Sequence, residues 1–149
     1  MCKCNKELTM EMINIGDVMP AYATEGASGI DLSAFIDETV VIMPMSSVLI
    51  GTGTYVSIPK GYEGQVRMRS GVSAKNSIIL LNGVGTIDSD YRGEIKLALF
   101  NLHDKPFIIN NGDRLAQLVV AKYERVQIVT VDELCKTDRG DGGFGSTGK

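Results

Sequence analysis

Apolar and polar residues alternate with a period of two along most of this chain, the pattern of strands that bury one face. Gln65-Val66-Arg67-Met68-Arg69 alternates in this way, as do Glu94-Ile95-Lys96-Leu97 and Arg125-Val126-Gln127-Ile128. Thr39-Val40-Val41-Ile42 does not alternate, yet its β-branched side chains also favour extended backbone. Residues 47–50, 54–58, 78–81 and 115–120 add further strand-like runs. Turn chemistry separates these runs at short intervals: Met43-Pro44, Pro59-Lys60-Gly61, Asn82-Gly83 and Asn110-Asn111-Gly112-Asp113. Helical periodicity is nearly absent, with one turn expected over residues 72–76. Short strands at this spacing predict an all-β subunit of the sandwich, jelly-roll or barrel type, without internal repeat or linker.

From about Thr137 the pattern breaks. Residues 137–149 hold one large apolar side chain, Phe144, and five glycines. Such a stretch buries no core and is expected to be mobile alone, but can become ordered around a ligand. The chain therefore divides into a β domain, residues 1–136, and a flexible Gly-rich C-terminal arm, residues 137–149.

Composition sharpens this picture. Seventeen glycines in 149 residues exceed the usual share of about 7%, which implies many tight turns or backbone that approaches something closely. A net charge of −3 argues against a nucleic-acid partner, which would need a basic surface. It leaves room for a small phosphorylated ligand held by local arginines or a divalent metal. Cys2, Cys4 and Cys135 are too few and too scattered for a disulfide framework, and Cys2-x-Cys4 lacks the further ligands zinc requires. No apolar run reaches the roughly 18 residues of a membrane span, and the start MCKCNKELTMEM has no apolar signal region. The expected compartment is the cytoplasm, or the nucleus if the source has one.

Two tempting motifs fail. Gly143-Phe144-Gly145-Ser146-Thr147-Gly148-Lys149 imitates a phosphate-binding P-loop, but neither the following Ser/Thr nor a helix exists. Asp88-Ser89-Asp90-Tyr91-Arg92-Gly93 opens like a calcium loop, yet the twelfth position is Leu99. His103 lies in a polar turn and reads as a surface residue.

Five other segments carry more specific chemistry. Ala27-Ser28-Gly29-Ile30-Asp31-Leu32 places an aspartate in a strand-like run, where a solvated or capping role is its ordinary meaning. In Arg69-Ser70-Gly71-Val72-Ser73-Ala74-Lys75 an arginine ends an alternating strand and Ser70-Gly71 begin a turn. Exposed N–H groups with a hydroxyl suit an anion, and arginine adds a charged fork. In the stretch Gly83-Val84-Gly85-Thr86-Ile87-Asp88-Ser89-Asp90-Tyr91-Arg92-Gly93-Glu94, residues 82–87 read as a hairpin that exposes backbone donors and acceptors. Asp88 could equally be a hairpin aspartate satisfied by neighbouring N–H groups. In Gly112-Asp113-Arg114-Leu115-Ala116-Gln117-Leu118, Gln117 alternates only imperfectly with its apolar neighbours and needs polar partners. The last segment is Arg139-Gly140-Asp141-Gly142-Gly143-Phe144-Gly145-Ser146-Thr147-Gly148.

In this order the five segments closely resemble the motifs of the trimeric dUTPase family, from about Ala21 to the C-terminus. The resemblance implies a distorted β-barrel or jelly-roll subunit in a homotrimer. The implied activity is Mg²⁺-dependent hydrolysis of dUTP to dUMP and pyrophosphate, which keeps uracil out of DNA and supplies dUMP for thymidylate synthesis. Asp88 corresponds to the family's water-activating aspartate, and Asp31 to a residue near the triphosphate that supports the metal through water or holds a motif arginine. Arg69, Ser70, Gly71 and Gln117 fall on the phosphates. Asn82 with Gly83, Val84, Gly85, Thr86 and Ile87 forms the uracil pocket, and Tyr91 stacks on the deoxyribose where a 2′-hydroxyl would clash. From the arm, Arg139 clamps the γ-phosphate, Phe144 stacks on the base, and Gly145, Ser146 and Thr147 reach the phosphates. Arg114 is read as a structural partner for an acid such as Asp31, and Asp90 and Arg92 as structural or interface residues. Val72-Ser73 stand where the family more usually has Leu-Ala, which leaves the polar groups intact. A dCTP deaminase shares the implied fold and would release ammonia from dCTP; a non-catalytic nucleotide-binding trimer would bind dUTP without turnover.

Overall fold

A computed structural model describes residues 8–144; Cys2, Cys4, Gly145, Ser146 and Thr147 lie outside the described residues. Eleven strands and one helix follow one another there: β1 (Glu11–Asn14), β2 (Ile30–Ser33), β3 (Val40–Ile42), β4 (Ser47–Gly51), β5 (Thr54–Ser57), β6 (Tyr62–Met68), α1 (Ser70–Asn76), β7 (Ile78–Leu80), β8 (Gly85–Ile87), β9 (Lys96–Asn101), β10 (Phe107–Ile109) and β11 (Arg114–Lys122). All pairings are antiparallel. The strands form a four-stranded sheet β2-β11-β6-β8, a three-stranded sheet β4-β9-β7, and the ribbons β1-β5 and β3-β10. The all-β expectation holds, and none of these sheets closes on itself.

Alternation does what the sequence implies. In β6, Gly64 and Val66 point inward while Gln65 and Arg67 point outward; in β9, Leu97, Leu99 and Asn101 are buried. Leu32, Ile42, Ile50, Ile78, Ile95, Leu97, Leu99, Ile109, Leu115 and Leu118 are fully buried in one continuous core. Each such side chain contributes about 1.5–3 kcal/mol. Asn101 is the large polar exception, and it is satisfied on every side. Its amide donates to the carbonyls of Ile42 at 2.9 Å and Lys105 at 2.8 Å, and its oxygen accepts the His103 N–H at 2.8 Å.

Three local expectations are corrected. The segment after Arg69 is not a turn but a seven-residue helix that begins at Ser70, two residues before the expected start. Extended backbone at Arg69 ends the strand, and Ser77 in the left-handed region ends the helix by returning its N–H to the Ser73 carbonyl. Residues 82–87 do not form a hairpin: β7 pairs with β9 and β8 pairs with β6, in different sheets. The turn at Gly83, with φ +69, hands the chain from one sheet to the other. Finally, the alternating run at residues 125–128 is not a strand, and Val126 (75% exposed) and Ile128 (89%) face solvent. Alternation marks a strand only where a sheet edge receives it, and none does within the protomer.

Candidate active site

The four-stranded sheet carries polar chemistry on both of its edges. At one edge, β11 runs beside β2 in a register that sets Gln117 opposite Asp31. The register slips between Arg114 and Ala116. This bulge turns both Leu115 and Ala116 into the core and leaves Arg114 outside, on the same side as Gln117. It is the physical reason for the imperfect alternation around Gln117. Asp31 consequently has two arginine partners. Its Oδ1 lies 3.2 Å from Arg69 Nε and its Oδ2 3.2 Å from Arg114 Nη1, so the expected Arg114 partnership is present. Arg69 is anchored further, since its N–H donates to the Leu115 carbonyl at 3.1 Å and its Nη1 to the Arg114 carbonyl at 3.2 Å.

Gln117 owes its position to a glycine. A Cβ built on Gly29 would stand 2.9 Å from Gln117 Cδ and 3.0 Å from its Cβ, and would overlap its Oε1. Ser70 and Gly71 are exposed and open the first turn of α1, where backbone N–H groups lie outside the helical ladder. Asp31, Arg69, Ser70, Gly71 and Gln117 thus occupy one region, reached from β2, the β6–α1 junction and β11.

The second polar group lies on the opposite edge. Asn82, Gly83 and Val84 form an exposed turn, and Gly85, Thr86 and Ile87 form β8. A Cβ on Gly85 would come within 3.3 Å of Asn82 Nδ2, so the amide lies against the backbone of β8. Asp88 follows, exposed, with its carbonyl taking the Tyr91 N–H at 3.1 Å. Its side chain lines a cleft of about 600 Å³ with Lys60, Glu63, Ser89, Asp90, Tyr123 and Arg125. Lys60 and Glu63 flank one turn and Arg125 lies far along the chain, so no single motif of the sequence marks them as site residues. Tyr91 donates its hydroxyl to the Glu94 carbonyl at 3.0 Å, and Arg92 donates to the carbonyls of Ser89 and Tyr91 at 2.8 and 2.7 Å.

Among the described residues no side-chain hydrogen bond or ion pair joins the two groups. Three strand spacings separate β2 from β8, roughly 14 Å at about 4.8 Å each. The described part of the arm joins neither: Arg139 Nε donates to the Gly142 carbonyl at 2.8 Å, and Phe144 is fully exposed. Among the described residues no three His, Cys, Asp or Glu side chains converge as a metal cage. The carboxylate of Asp31 keeps further acceptor capacity beyond its two arginines, enough for a metal-bound water.

Comparison with known proteins identifies the family. The family model described as dUTPase matches residues 17–148. The deoxyuridine 5′-triphosphate nucleotidohydrolase of Chlamydia trachomatis is 53% identical over 135 residues, covering 90% of this chain and 93% of that protein. The protein of the same name from Finegoldia magna is 51% identical over 130 residues, covering 87% and 91%. A Staphylococcus bacteriophage 80alpha dUTPase structure with dUPNHPP superposes with a TM-score of 0.85 at 29% identity, covering 95% of this chain and 99% of that one. A family match across nearly the whole chain, and relatives about half identical over most of their length, establish that this chain belongs to the dUTPase family.

Proposed function

We propose that the chain hydrolyses dUTP to dUMP and pyrophosphate at sites shared between the protomers of a homotrimer. The observation that supports this reading is one polar constellation spread across a single sheet, from Asp31 on edge strand β2 to Asp88 beyond edge strand β8, three strand spacings away. Asp31 lies on the edge strand β2, Gln117 on β11, and Arg69, Ser70 and Gly71 just after β6, while residues 82–91 run through and beyond the other edge strand, β8. A nucleotide laid across a protomer boundary would find phosphate-binding groups on one copy and base- and sugar-binding groups on the next. Val126, Ile128, Val129, Val131 and Leu134 are all exposed in the segment after β11. A patch of this kind calls for a protein partner, and a second copy of the chain would cover it.

In this reading Asn82 and the backbone of Gly83, Val84, Gly85, Thr86 and Ile87 take the uracil edge, and close walls exclude a 5-methyl group. Tyr91 stands against the deoxyribose. Asp88 takes a proton from water as its oxygen bonds to the α-phosphorus. The bond from that phosphorus to the bridging oxygen of the β-phosphate breaks in line, and pyrophosphate departs with the electron pair. Ser70, Gly71, Gln117 and Arg69 hold the phosphate oxygens, with Arg69 itself oriented by Asp31. Arg139, Phe144, Gly145, Ser146 and Thr147 of the arm close over the nucleotide and exclude water.

The donors fit a hard divalent cation, Mg²⁺, held by the substrate's phosphates and, through water, by Asp31; when bound it neutralises charge on the triphosphate. The test is turnover. Incubation with dUTP and Mg²⁺ is expected to release pyrophosphate and dUMP, with dTTP, dCTP and UTP poor substrates and Asp88→Asn inactive. Ammonia from dCTP, or dUTP binding without turnover, would overturn the reading.

A further inference from the structure

Tyr91 is 43% exposed, so core packing does little to fix its ring. Two neighbours fix it instead. Its hydroxyl donates to the Glu94 carbonyl at 3.0 Å, which folds the ring back over Gly93. A Cβ built on Gly93 would stand 2.5 Å from Tyr91 Cζ and 2.9 Å from Cε2, and would also strike the hydroxyl oxygen. These separations lie far inside carbon contact distance. Gly93 is not among the glycines with positive φ, so its backbone does not demand glycine. What the missing side chain supplies is room for the ring.

Glu94 then fixes the carbonyl on which the hydroxyl rests. Its Oε1 accepts the N–H groups of Thr52 at 3.0 Å and Gly53 at 2.8 Å, in the turn between β4 and β5. Its Oε2 lies 3.7 Å from Lys96 Nζ. The next residue is fastened to the same turn, since the Thr52 hydroxyl donates to the Ile95 carbonyl at 2.7 Å and the Ile95 N–H to the Thr54 carbonyl at 2.8 Å. Gly51 keeps this dock open, because a Cβ there would come 2.7 Å from Glu94 Oε1. The path therefore runs from the rigid β4–β5 turn through the Glu94 carboxylate to its carbonyl, and from there to the Tyr91 hydroxyl.

We propose that Gly93 and Glu94 are positioning residues for Tyr91 and, through it, set the preference for deoxyribose over ribose. The inference rests on the reading that Tyr91 stands against the sugar. A wall that rejects one extra hydroxyl must be placed to a fraction of an ångström, and an exposed ring free to change rotamer cannot do so. Glu94 touches no reacting atom in this scheme. Its effect is felt as selectivity.

The experiment compares kcat and KM for dUTP and UTP in Tyr91→Ala, Tyr91→Phe, Gly93→Ala, Glu94→Ala and Glu94→Gln. Tyr91→Phe keeps the ring but removes its anchor, Gly93→Ala expels the ring, and Glu94→Ala releases the carbonyl. Each is expected to lower the ratio of kcat/KM for dUTP over UTP about tenfold, within the range one altered pocket contact is worth. Glu94→Gln keeps an oxygen for the Thr52 and Gly53 N–H groups and is expected to restore most of that ratio relative to Glu94→Ala. If Tyr91→Ala lowers the ratio while Gly93→Ala and Glu94→Ala leave it intact, the inference is wrong and the Tyr91 reading stands. Equal losses for dUTP and UTP in the Gly93 and Glu94 variants overturn it too, since they mark a structural role alone. If Tyr91→Ala itself leaves the ratio unchanged, the Tyr91 reading fails and takes this inference with it. Should Gly93→Ala fail to fold, the two Glu94 variants decide.

Discussion

Asp31 and Arg69 meet at 3.2 Å although their strands are not neighbours: β2 and β6 lie on either side of β11. The contact therefore bridges three strands, and Arg114 at the start of β11 closes it from the third side. The side chain of Asp31 is only 15% exposed, against 31% for Arg69 and 53% for Arg114. The pair with Arg69 is the better shielded of the two and should carry more of the energy.

Asp31→Asn keeps the shape of the side chain and removes its charge. It is expected to destabilise the fold by about 1–2 kcal/mol, between the small worth of an exposed pair and the larger cost of breaking a buried one. Urea unfolding measures this, and KM for dUTP should rise in the same variant as Arg69 loses its orientation. A stability and KM equal to the parent's would mean that the cluster is ornamental.

Asp88 is exposed, and no hydrogen bond of its carboxylate is found among the described residues. Its replacement by Asn should leave the unfolding midpoint where it was. In a pyrophosphate-release assay kcat should nevertheless fall about 10²–10⁴-fold, the scale of a lost general base. A fall in kcat together with a fall in stability would point to a structural aspartate.

Most of this was legible from sequence because alternation reports burial directly. Val66, Leu97 and Leu118 were readable as core, and Arg114 as a partner for Asp31. What alternation does not report is which edge a strand will find. Residues 82–87 looked like a hairpin, yet β7 before them and β8 within them join different sheets because one glycine turn redirects the chain. The bulge at Leu115 could be sensed only as faulty alternation. The seats that Gly29 and Gly93 make for Gln117 and Tyr91 had no signal at all, since a glycine's empty space acquires meaning only when a folded neighbour fills it.

Gly29→Ala tests such a seat. Gly29 is buried, and the added methyl meets Gln117 at 2.9–3.0 Å. Overpacking of this kind costs about 1–3 kcal/mol, and displaced Gln117 should raise KM for dUTP. Gln117→Ala made in the same background removes the amide that stands closest and leaves only the Cβ at 3.0 Å. It should recover stability but not affinity, a pattern that thermal unfolding and steady-state kinetics together distinguish from a general loosening.

The buried amide of Asn101 gives a prediction that is independent of activity. Asn101→Leu preserves the volume but strands the carbonyls of Ile42 and Lys105 and the N–H of His103. Each unsatisfied buried group costs about 1–3 kcal/mol, so the chain should lose several kcal/mol in urea unfolding. A near-neutral result would require water to reach all three groups.

The segment after β11 tests the proposed assembly most directly. Val126 and Ile128 are 75% and 89% exposed, so within one protomer neither holds the fold together, and Val126→Ser with Ile128→Ser should leave the folded subunit's circular dichroism unchanged. If a second copy covers them, burying both is worth about 1.5–3 kcal/mol each, repeated at every boundary of a trimer. Analytical ultracentrifugation of the double variant should then show a shift from trimer toward monomer. Turnover of dUTP should fall with the trimer fraction, and raising the protein concentration should restore both together. A variant that remains trimeric would show that the exposed segment is not part of the interface. Turnover by dissociated monomer would remove the reason for dividing the site between copies.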